Sequence, residues 1–487
     1  MVQLVDVQYV KAPALRISSH NPRNAAGDAD NMRGDIYASD GTTVLAKSVD
    51  VDGGTHDYTR QYPGGALYSQ IVGFDSTFEG TAGVEDEYDS DLKGHQQPAH
   101  TLPQALGLDP TATTTDNVIL TIVPKLQEAA EAALGQITGA NTDAAVVAIE
   151  PKTGAVLADY STPSFDPTPL EAPNTFAGTK VQESAAVSDF KTPDHEGFLP
   201  GLPLATAETF PPGSTFKVVT SAAVYNLDPG LIDFSFPPAA STSFPDTTKA
   251  LTNDDGQICG GTMADDMFAL SCDPGYGRLG VSLGAPLLAK QAALFGYDAR
   301  PPIDLPDEWV ATPSFPAASS LTSIPEEEHL ADSAIGQYND QASALSDALV
   351  AAGIADNGTI MTPHVMAQII DSQGNVVTTY KPKAWRQAVS SNAAAQVTAL
   401  MKQVVTEGTA IGVGFSPALD AAVKTGTAQS GDPQANTDDW MIGFAPATDP
   451  TIAVAVVVPL QNFVDNGAGI AGPIMKAMLN AALLPAG

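Results

Sequence analysis

Positive charge is scarce in this sequence: 22 Lys and Arg stand against 56 Asp and Glu among 487 residues, a formal net charge of -34. Such a surface repels phosphate backbones and anionic lipid headgroups, which disfavours nucleic-acid binding through a basic patch. A solvated acidic surface is the plain reading. Long apolar runs are missing too, since no stretch reaches the roughly 18 apolar residues of a spanning helix. Met1-Val-Gln-Leu-Val lacks the charged and apolar regions of a signal peptide. Cysteine is limited to Cys259 and Cys272. Two cysteines cannot form a structural zinc site, and neither sits in a C-x-x-C redox motif. An oxidised pair in an exported protein and two buried thiols both remain open. A bond closing a loop of roughly 15 residues would contribute about 3 kcal/mol.

What is present suffices for two folded units. At 487 residues, 43% of them hydrophobic, the chain exceeds one ordinary core. Residues 1–115 carry short strand-like pieces broken by Gly, Pro and Asp, such as R-G-D-I-Y-A-S-D-G-T-T-V-L-A from Arg33 and Y-P-G-G-A from Tyr62. With no long amphipathic helix among them, they predict an irregular β-rich module. Residues 116–487 read differently. N-V-I-L-T-I-V alternates as a strand, and P-K-L-Q-E-A-A-E-A-A-L-G predicts a helix opened by Pro124 and closed by Gly135. A-A-V-V-A-I-E, the turn P-K-T-G and A-V-L-A-D-Y form a hairpin pattern. Near the C-terminus, A-A-V-K-T-G-T-A-Q, W-M-I-G-F-A-P and T-I-A-V-A-V-V-V-P repeat it, with a last helix from about Gly472. Strands at both ends and helices between them predict an α+β fold, an antiparallel sheet covered by a helical subdomain. The Asp- and Pro-rich stretches 155–212 and 296–330 are expected to be long surface loops.

One short motif carries possible chemistry. P-P-G-S-T-F-K-V-V-T-S-A-A-V-Y places Ser214 three residues ahead of Lys217. S-x-x-K also occurs at Ser90 to Lys93 and Ser188 to Lys191, but Gly94 follows the first and Thr192-Pro193 the second, whereas an apolar helical run follows Lys217. Pro211-Pro212-Gly213 predict an extended approach that sets Ser214 in the first helical turn, where backbone N–H groups are free. Residues three apart share a helix face, so the amine reaches the hydroxyl. A lysine can act as base for a serine if burial or a nearby cation favours its neutral form. An N-cap serine beside a surface lysine accounts for the same letters, and both readings stand.

K-T-G occurs twice. Lys152-Thr153-Gly154 sits at the hairpin turn, which explains it structurally. Lys424-Thr425-Gly426-Thr427 lies inside a strand pattern, where glycine is unfavourable unless something approaches the backbone closely. A substrate carboxylate along that edge would meet the lysine and two threonine hydroxyls.

P-P-G-S-T-F-K, then S-C-D at 271–273, then K-T-G-T resembles, in that order, the penicillin-binding protein family of serine acyl-transferases. R-G-D-I-Y-A-S-D-G-T-T-V-L-A, Y-P-G-G-A-L-Y and G-V-E-D-E-Y are similar to the N-terminal pedestal (dimerisation-type) domain of its class B members. D-A-A-V-V-A-I-E-P-K-T-G-A-V-L-A and M-I-G-F-A-P-A-T-D-P-T-I-A-V-A-V-V-V are similar to the first and last strands of their transpeptidase domain. The likeness is particular to the actinobacterial penicillin-binding protein A group.

The resemblance implies a peptidoglycan D,D-transpeptidase of cell-wall synthesis, with the penicillin-binding and serine β-lactamase-like fold over 116–487. Ser214 would attack the penultimate D-alanine carbonyl of a stem peptide, with Lys217 taking its proton. Backbone N–H groups of Ser214 and Thr427 would form the oxyanion hole. Ser271, assisted by Lys424, would pass a proton to the leaving D-alanine. Thr425, Gly426 and Thr427 would hold the terminal carboxylate. No metal or organic cofactor is implied. β-Lactams would be covalent inhibitors, a membrane glycosyltransferase the partner, and the location extracytoplasmic, anchored by an N-terminal helix that these residues do not include.

One departure stands out. The family pattern is S-x-N, and this chain has Asp273. S-x-N at Ser19 to Asn21 falls in the pedestal, and Ser390 to Asn392 reads as a helix cap. Asp273 is therefore a substitution at a substrate-binding position, expected to slow reaction with penicillins. A disulfide between Cys259 and Cys272 would brace this motif. Asp273, with Gly336-Gln337-Tyr338-Asn339-Asp340 where relatives are glycine-rich, leaves open a non-catalytic scaffold that binds membrane partners. A serine β-lactamase is a third reading, weakened by the pedestal and by the lack of an assignable deacylating glutamate.

Overall fold

The computed structural model describes residues 32–485 apart from 51–57, 77–78, 94, 97–112, 138–141, 171–189, 191, 195–196, 246, 254–255, 323–325, 430–436 and 462–465. The R-G-D-I-Y segment supplies β1 (Ile36–Tyr37), which turns at Asp40 into β2 (Val44–Asp50) and β3 (Tyr58–Gln61). The turn is held by Asp40, whose carboxylate accepts from the N–H groups of Thr42 and Thr43 at 2.9 and 2.8 Å. Among the described residues, the rest of this module is short strands and helical turns of three or four residues, as its Gly, Pro and Asp content dictates.

The pedestal does not close its own sheet. β4 (Asn117–Leu120) lies parallel to β1, and Met366–Ile370 and Val376–Thr379 extend the sheet from the far end of the chain. The six strands run in the order Val376–Thr379, Met366–Ile370, β4, β1, β2, β3. Side chains reinforce this junction: Tyr88 Oη donates to Asp304 Oδ2 at 2.5 Å, Gln70 Nε2 to Pro163 O at 2.7 Å and Gln127 Nε2 to Leu67 O at 2.9 Å.

After α1 (Pro124–Leu134) comes the central sheet: β5 (Ala144–Ile149), β6 (Val156–Thr162), β7 (Ala422–Gln429), β8 (Thr437–Ala445) and β9 (Ile452–Gln461). All pairs are antiparallel in the order β6-β5-β9-β8-β7, which leaves β7 at an edge. β5 and β8 are buried at every residue, the pattern of strands covered on both faces. Helices do the covering. α4 (Ala344–Ala355), α5 (Ser391–Thr406) and α6 (Ala471–Leu483) lie on the sheet, and α2 (Lys217–Leu227) packs on α5 and on α3 (Asp273–Leu283). α4 packs on β5, β8 and β9, while α1 and α6 pack on each other and on the sheet.

The stretches expected as surface loops are partly core. Leu204–Ala207 is a helical turn, and Tyr297, Ile303, Leu305, Trp309 and Phe315 are buried. Their prolines break helices and strands, but the apolar residues between them still find the core.

Candidate active site

Two prolines and a glycine aim the nucleophile candidate. Pro211 O accepts from Trp440 Nε1 on β8 at 2.9 Å, which pins the approach to the sheet. The approach is not extended to its end as the sequence suggests. Pro212 is helical, and Gly213 takes φ +53, its N–H donating to Gly336 O at 2.9 Å. A Cβ on Gly213 would lie 3.0 Å from Thr427 and Ala428 backbone atoms, so close packing against β7 requires glycine. Ser214 then falls in the 3-10 turn Gly213–Phe216, directly ahead of α2, and Lys217 is the first residue of α2.

Lys217 is fully buried, and its amine is crowded. Nζ lies 2.8 Å from Ser214 Oγ, 2.8 Å from Ser271 O and 3.0 Å from Ser271 Oγ, and it also contacts Asp273 Oδ1. Four acceptors surround a group with at most three protons. The Tyr276 ring lies beneath, 5.5 Å from Nζ.

The second motif is held from three sides. Met263–Met267 is a kinked turn rather than a regular helix, with Asp265 outside helical φ/ψ, and Ser271 takes φ +57. That conformation is unusual for a residue with a Cβ and is tolerated where surroundings enforce it. Cys272, bonded to Cys259, supplies one constraint. The Asp273 N–H donating to Asn253 Oδ1 at 3.0 Å supplies another. Lys424, fully buried on β7, supplies the third: its Nζ is 2.8 Å from Ser271 Oγ and 2.9 Å from Thr425 O. One hydroxyl thus receives two lysines.

β7 presents its edge to this cluster. Gln337, with its amide turned to satisfy both groups, bonds the N–H and C=O of Gln429 at 3.0 and 3.1 Å. Alternate residues of a strand point their backbone groups to the same side, so Thr425 and Thr427 present theirs along that edge as well. Gly426 has a packing reason: a Cβ there would lie 2.9 Å from Thr215 Cγ2 and 3.0 Å from Pro212 O. The Thr425 hydroxyl is 2.6 Å from Thr409 Oγ1, and Thr427 Oγ1 accepts from Gly467 N at 3.2 Å.

Ser214, Lys217, Ser271, Asp273, Lys424 and Thr425 are therefore joined by contacts, with Gly426 and Thr427 against the turn that carries Ser214. The other motif copies lie elsewhere. Lys152 is exposed and pairs with Asp449 at 2.5 Å, Lys93 pairs with Asp89 at 2.9 Å, and Ser390 caps α5 by accepting from Ala393 N at 3.3 Å. Ser188, Lys191 and Ser19 to Asn21 lie outside the described residues. Asn253, Thr409 and Gln337 as a strand-edge partner were missed, because each contact joins positions that no local pattern relates. Among the described residues, no group of three or more His, Cys, Asp or Glu could hold a metal.

The family model for the penicillin-binding protein transpeptidase domain matches residues 144–480, and that for the penicillin-binding protein A dimerisation domain matches 33–106. The chain belongs to the penicillin-binding protein transpeptidases. It is 34% identical over 486 residues to peptidoglycan D,D-transpeptidase PbpA of Mycolicibacterium smegmatis, covering 98% of this chain and 94% of that one. PbpA of Mycobacterium tuberculosis is also 34% identical, over 492 residues, with the same coverage. Among solved structures, penicillin-binding protein A from M. tuberculosis as its ceftriaxone acyl-enzyme superposes with a TM-score of 0.78 at 32% identity, covering 94% of this transpeptidase and 99% of that chain. Its penicillin G acyl-enzyme superposes with a TM-score of 0.75.

Proposed function

We propose that this chain is a peptidoglycan D,D-transpeptidase working through an acyl-enzyme on Ser214. The observation that carries the reading is Lys217 Nζ within 3.0 Å of both Ser214 Oγ and Ser271 Oγ, with Lys424 on the same Ser271 oxygen. Two ammonium groups on one hydroxyl repel each other, which favours loss of a proton from one of them. Neutral Lys217 takes the Ser214 proton as Oγ attacks the penultimate D-alanine carbonyl. The oxyanion lies between the N–H groups of Ser214 and Thr427, and Lys424, Thr425 and Thr427 receive the terminal carboxylate. Ser271 relays the proton held by Lys217 to the departing D-alanine nitrogen as the C–N bond breaks. An amine of a second stem peptide then attacks the ester, forms the cross-link and returns the proton to Ser214.

The reaction belongs outside the cytoplasm, where stem peptides are, and the disulfide suits an oxidising compartment. Beside it, a membrane anchor ahead of these residues and a glycosyltransferase partner complete the proposal; no helix among the described residues is long and apolar enough to span a membrane.

Asp273 on Lys217 favours the scaffold alternative, because a carboxylate there holds the ammonium form. Intact-mass spectrometry after incubation with a β-lactam decides. A lasting adduct on wild type, absent in Ser214→Ala, is expected. No adduct would leave the scaffold, and a rapidly lost one a β-lactamase.

A further inference from the structure

Directly behind the nucleophile's turn lies a carboxyl group that the mechanism above does not use. Asp347, in the first turn of α4, is 2% exposed, and its Oδ2 is 2.7 Å from Thr215 Oγ1. Thr215, the neighbour of Ser214, is 1% exposed, and the same Oγ1 is 2.8 Å from Pro212 O. Its methyl group packs where a Cβ on Gly426 would be. Thr215 is therefore the wedge between the turn that carries Ser214 and the strand that carries Thr427.

Proton counting decides how this contact works. A hydroxyl has one proton, and here it has two oxygen neighbours at hydrogen-bond distance. With Asp347 as a carboxylate, one of the two short contacts would hold no proton. With Asp347 as a carboxylic acid, both are hydrogen bonds: Asp347 donates to Thr215 Oγ1, and Thr215 donates to Pro212 O. We propose that Asp347 is a positioning residue for the nucleophile, acting in its acid form through Thr215 to close the Pro212–Thr215 turn.

The surroundings agree. Burial pushes the Asp347 carboxyl up to about 7, against the smaller opposing effects of Thr215 and Tyr297. Tyr297 faces the same carboxyl and is itself raised by burial, by Asp347 and by Asp340, a second fully buried acid. Lys217 lies two residues along the chain from Thr215. When Asp347 ionises, it draws the Thr215 proton away from Pro212 O. The turn loosens, and a buried negative charge appears behind the place where the oxyanion forms.

The inference rests on acylation at Ser214, and its test separates the two. The second-order acylation rate constant with a fluorescent penicillin is measured from pH 6 to 8.5 for wild type, Asp347→Asn and Asp347→Leu, each also in a Thr215→Val background, with thermal melting as the folding control. Asparagine keeps the donor and cannot ionise. The ratio of Asp347→Asn to wild-type rate should rise with pH by about tenfold, the effect of one buried hydrogen bond made or broken. Asp347→Leu should be slower than Asp347→Asn throughout, and in the Thr215→Val background the pH-dependent ratio should flatten. A ratio independent of pH, or equal rates for Asn and Leu, overturns the positioning role while leaving acylation intact. Absence of any wild-type acylation overturns both.

Discussion

At position 273 an aspartate occupies the place of the family's asparagine, and the contact it makes sharpens what the substitution does. An asparagine amide can donate to the acyl side-chain carbonyl of a substrate or β-lactam, whereas a carboxylate only accepts. Its Oδ1 also touches Lys217, the proposed base, which would have to lose a proton to act. Both effects act against acylation. Asp273→Asn should therefore raise the penicillin acylation rate by about one to two orders of magnitude, the equivalent of roughly 1–3 kcal/mol. Stopped-flow acylation of both proteins checks it, and equal rates would show that Asp273 does not set the rate of drug reaction. At this scale the sequence was readable where chemistry follows from local spacing. Ser214 and Lys217 are three apart on one helical turn, so their contact could be expected. An Asp273 carboxyl near Lys217 was expected from the resemblance, whereas the direct contact depends on the left-handed Ser271 and on Asn253, twenty residues earlier. Thr215 and Asp347 meet across 132 positions, beyond any motif.

Elements were legible in proportion to their periodicity. α1 begins at Pro124 and β5 and β6 form the expected hairpin, because helix formers and two short apolar runs around the P-K-T-G turn leave little choice. The run M-A-D-D-M-F-A-L before Ser271 has helix-like letters, yet Met263–Met267 is a kinked turn flanked by the Cys259–Cys272 disulfide. Replacing Cys259 and Cys272 together by alanine should destabilise the protein by about 3 kcal/mol. Acylation should fall as well, because Cys272 lies between Ser271 and Asp273; denaturant unfolding and acylation measured side by side read out both effects. In the pedestal, the R-G-D-I-Y segment holds more than a strand. Glu85, fully buried, accepts from Arg33 Nε at 2.6 Å and Arg60 Nε at 2.7 Å. Burial would raise this carboxyl, but Arg60 and Arg33 together hold it below the usual range. Arg60→Ala leaves Glu85 short of a partner in a buried site, an expected loss of about 3–5 kcal/mol by denaturant unfolding.

For the whole molecule, charge sets the response to pH. Burial raises Asp159 and Asp347 to about 7 and Asp438 to about 6. Each binds its proton more tightly when folded than when unfolded. The stability this gives is complete below the ordinary carboxylate range and is lost as pH rises through 6 to 7. Self-repulsion from a net charge of -34 acts in the same direction. The melting temperature should therefore be higher near pH 5.5 than near pH 8, and added salt should raise it most at the higher pH. A flat calorimetric profile would contradict this. The fold class was readable at this scale, whereas the sharing of one sheet between the two units was not, since strand pairing across hundreds of residues leaves no local signature.

That sharing constrains how the chain can be made. During synthesis the pedestal strands leave the ribosome first, yet the neighbours that complete their sheet, Met366–Ile370 and Val376–Thr379, are among the later segments. Roughly 250 residues separate β4 from its partner, an interval on the order of tens of seconds at about 5–20 residues per second. For that time an open strand edge, able to pair with any exposed strand, must be kept apart from other nascent chains. The N-terminal module therefore waits for most of the chain that follows it before its sheet is complete.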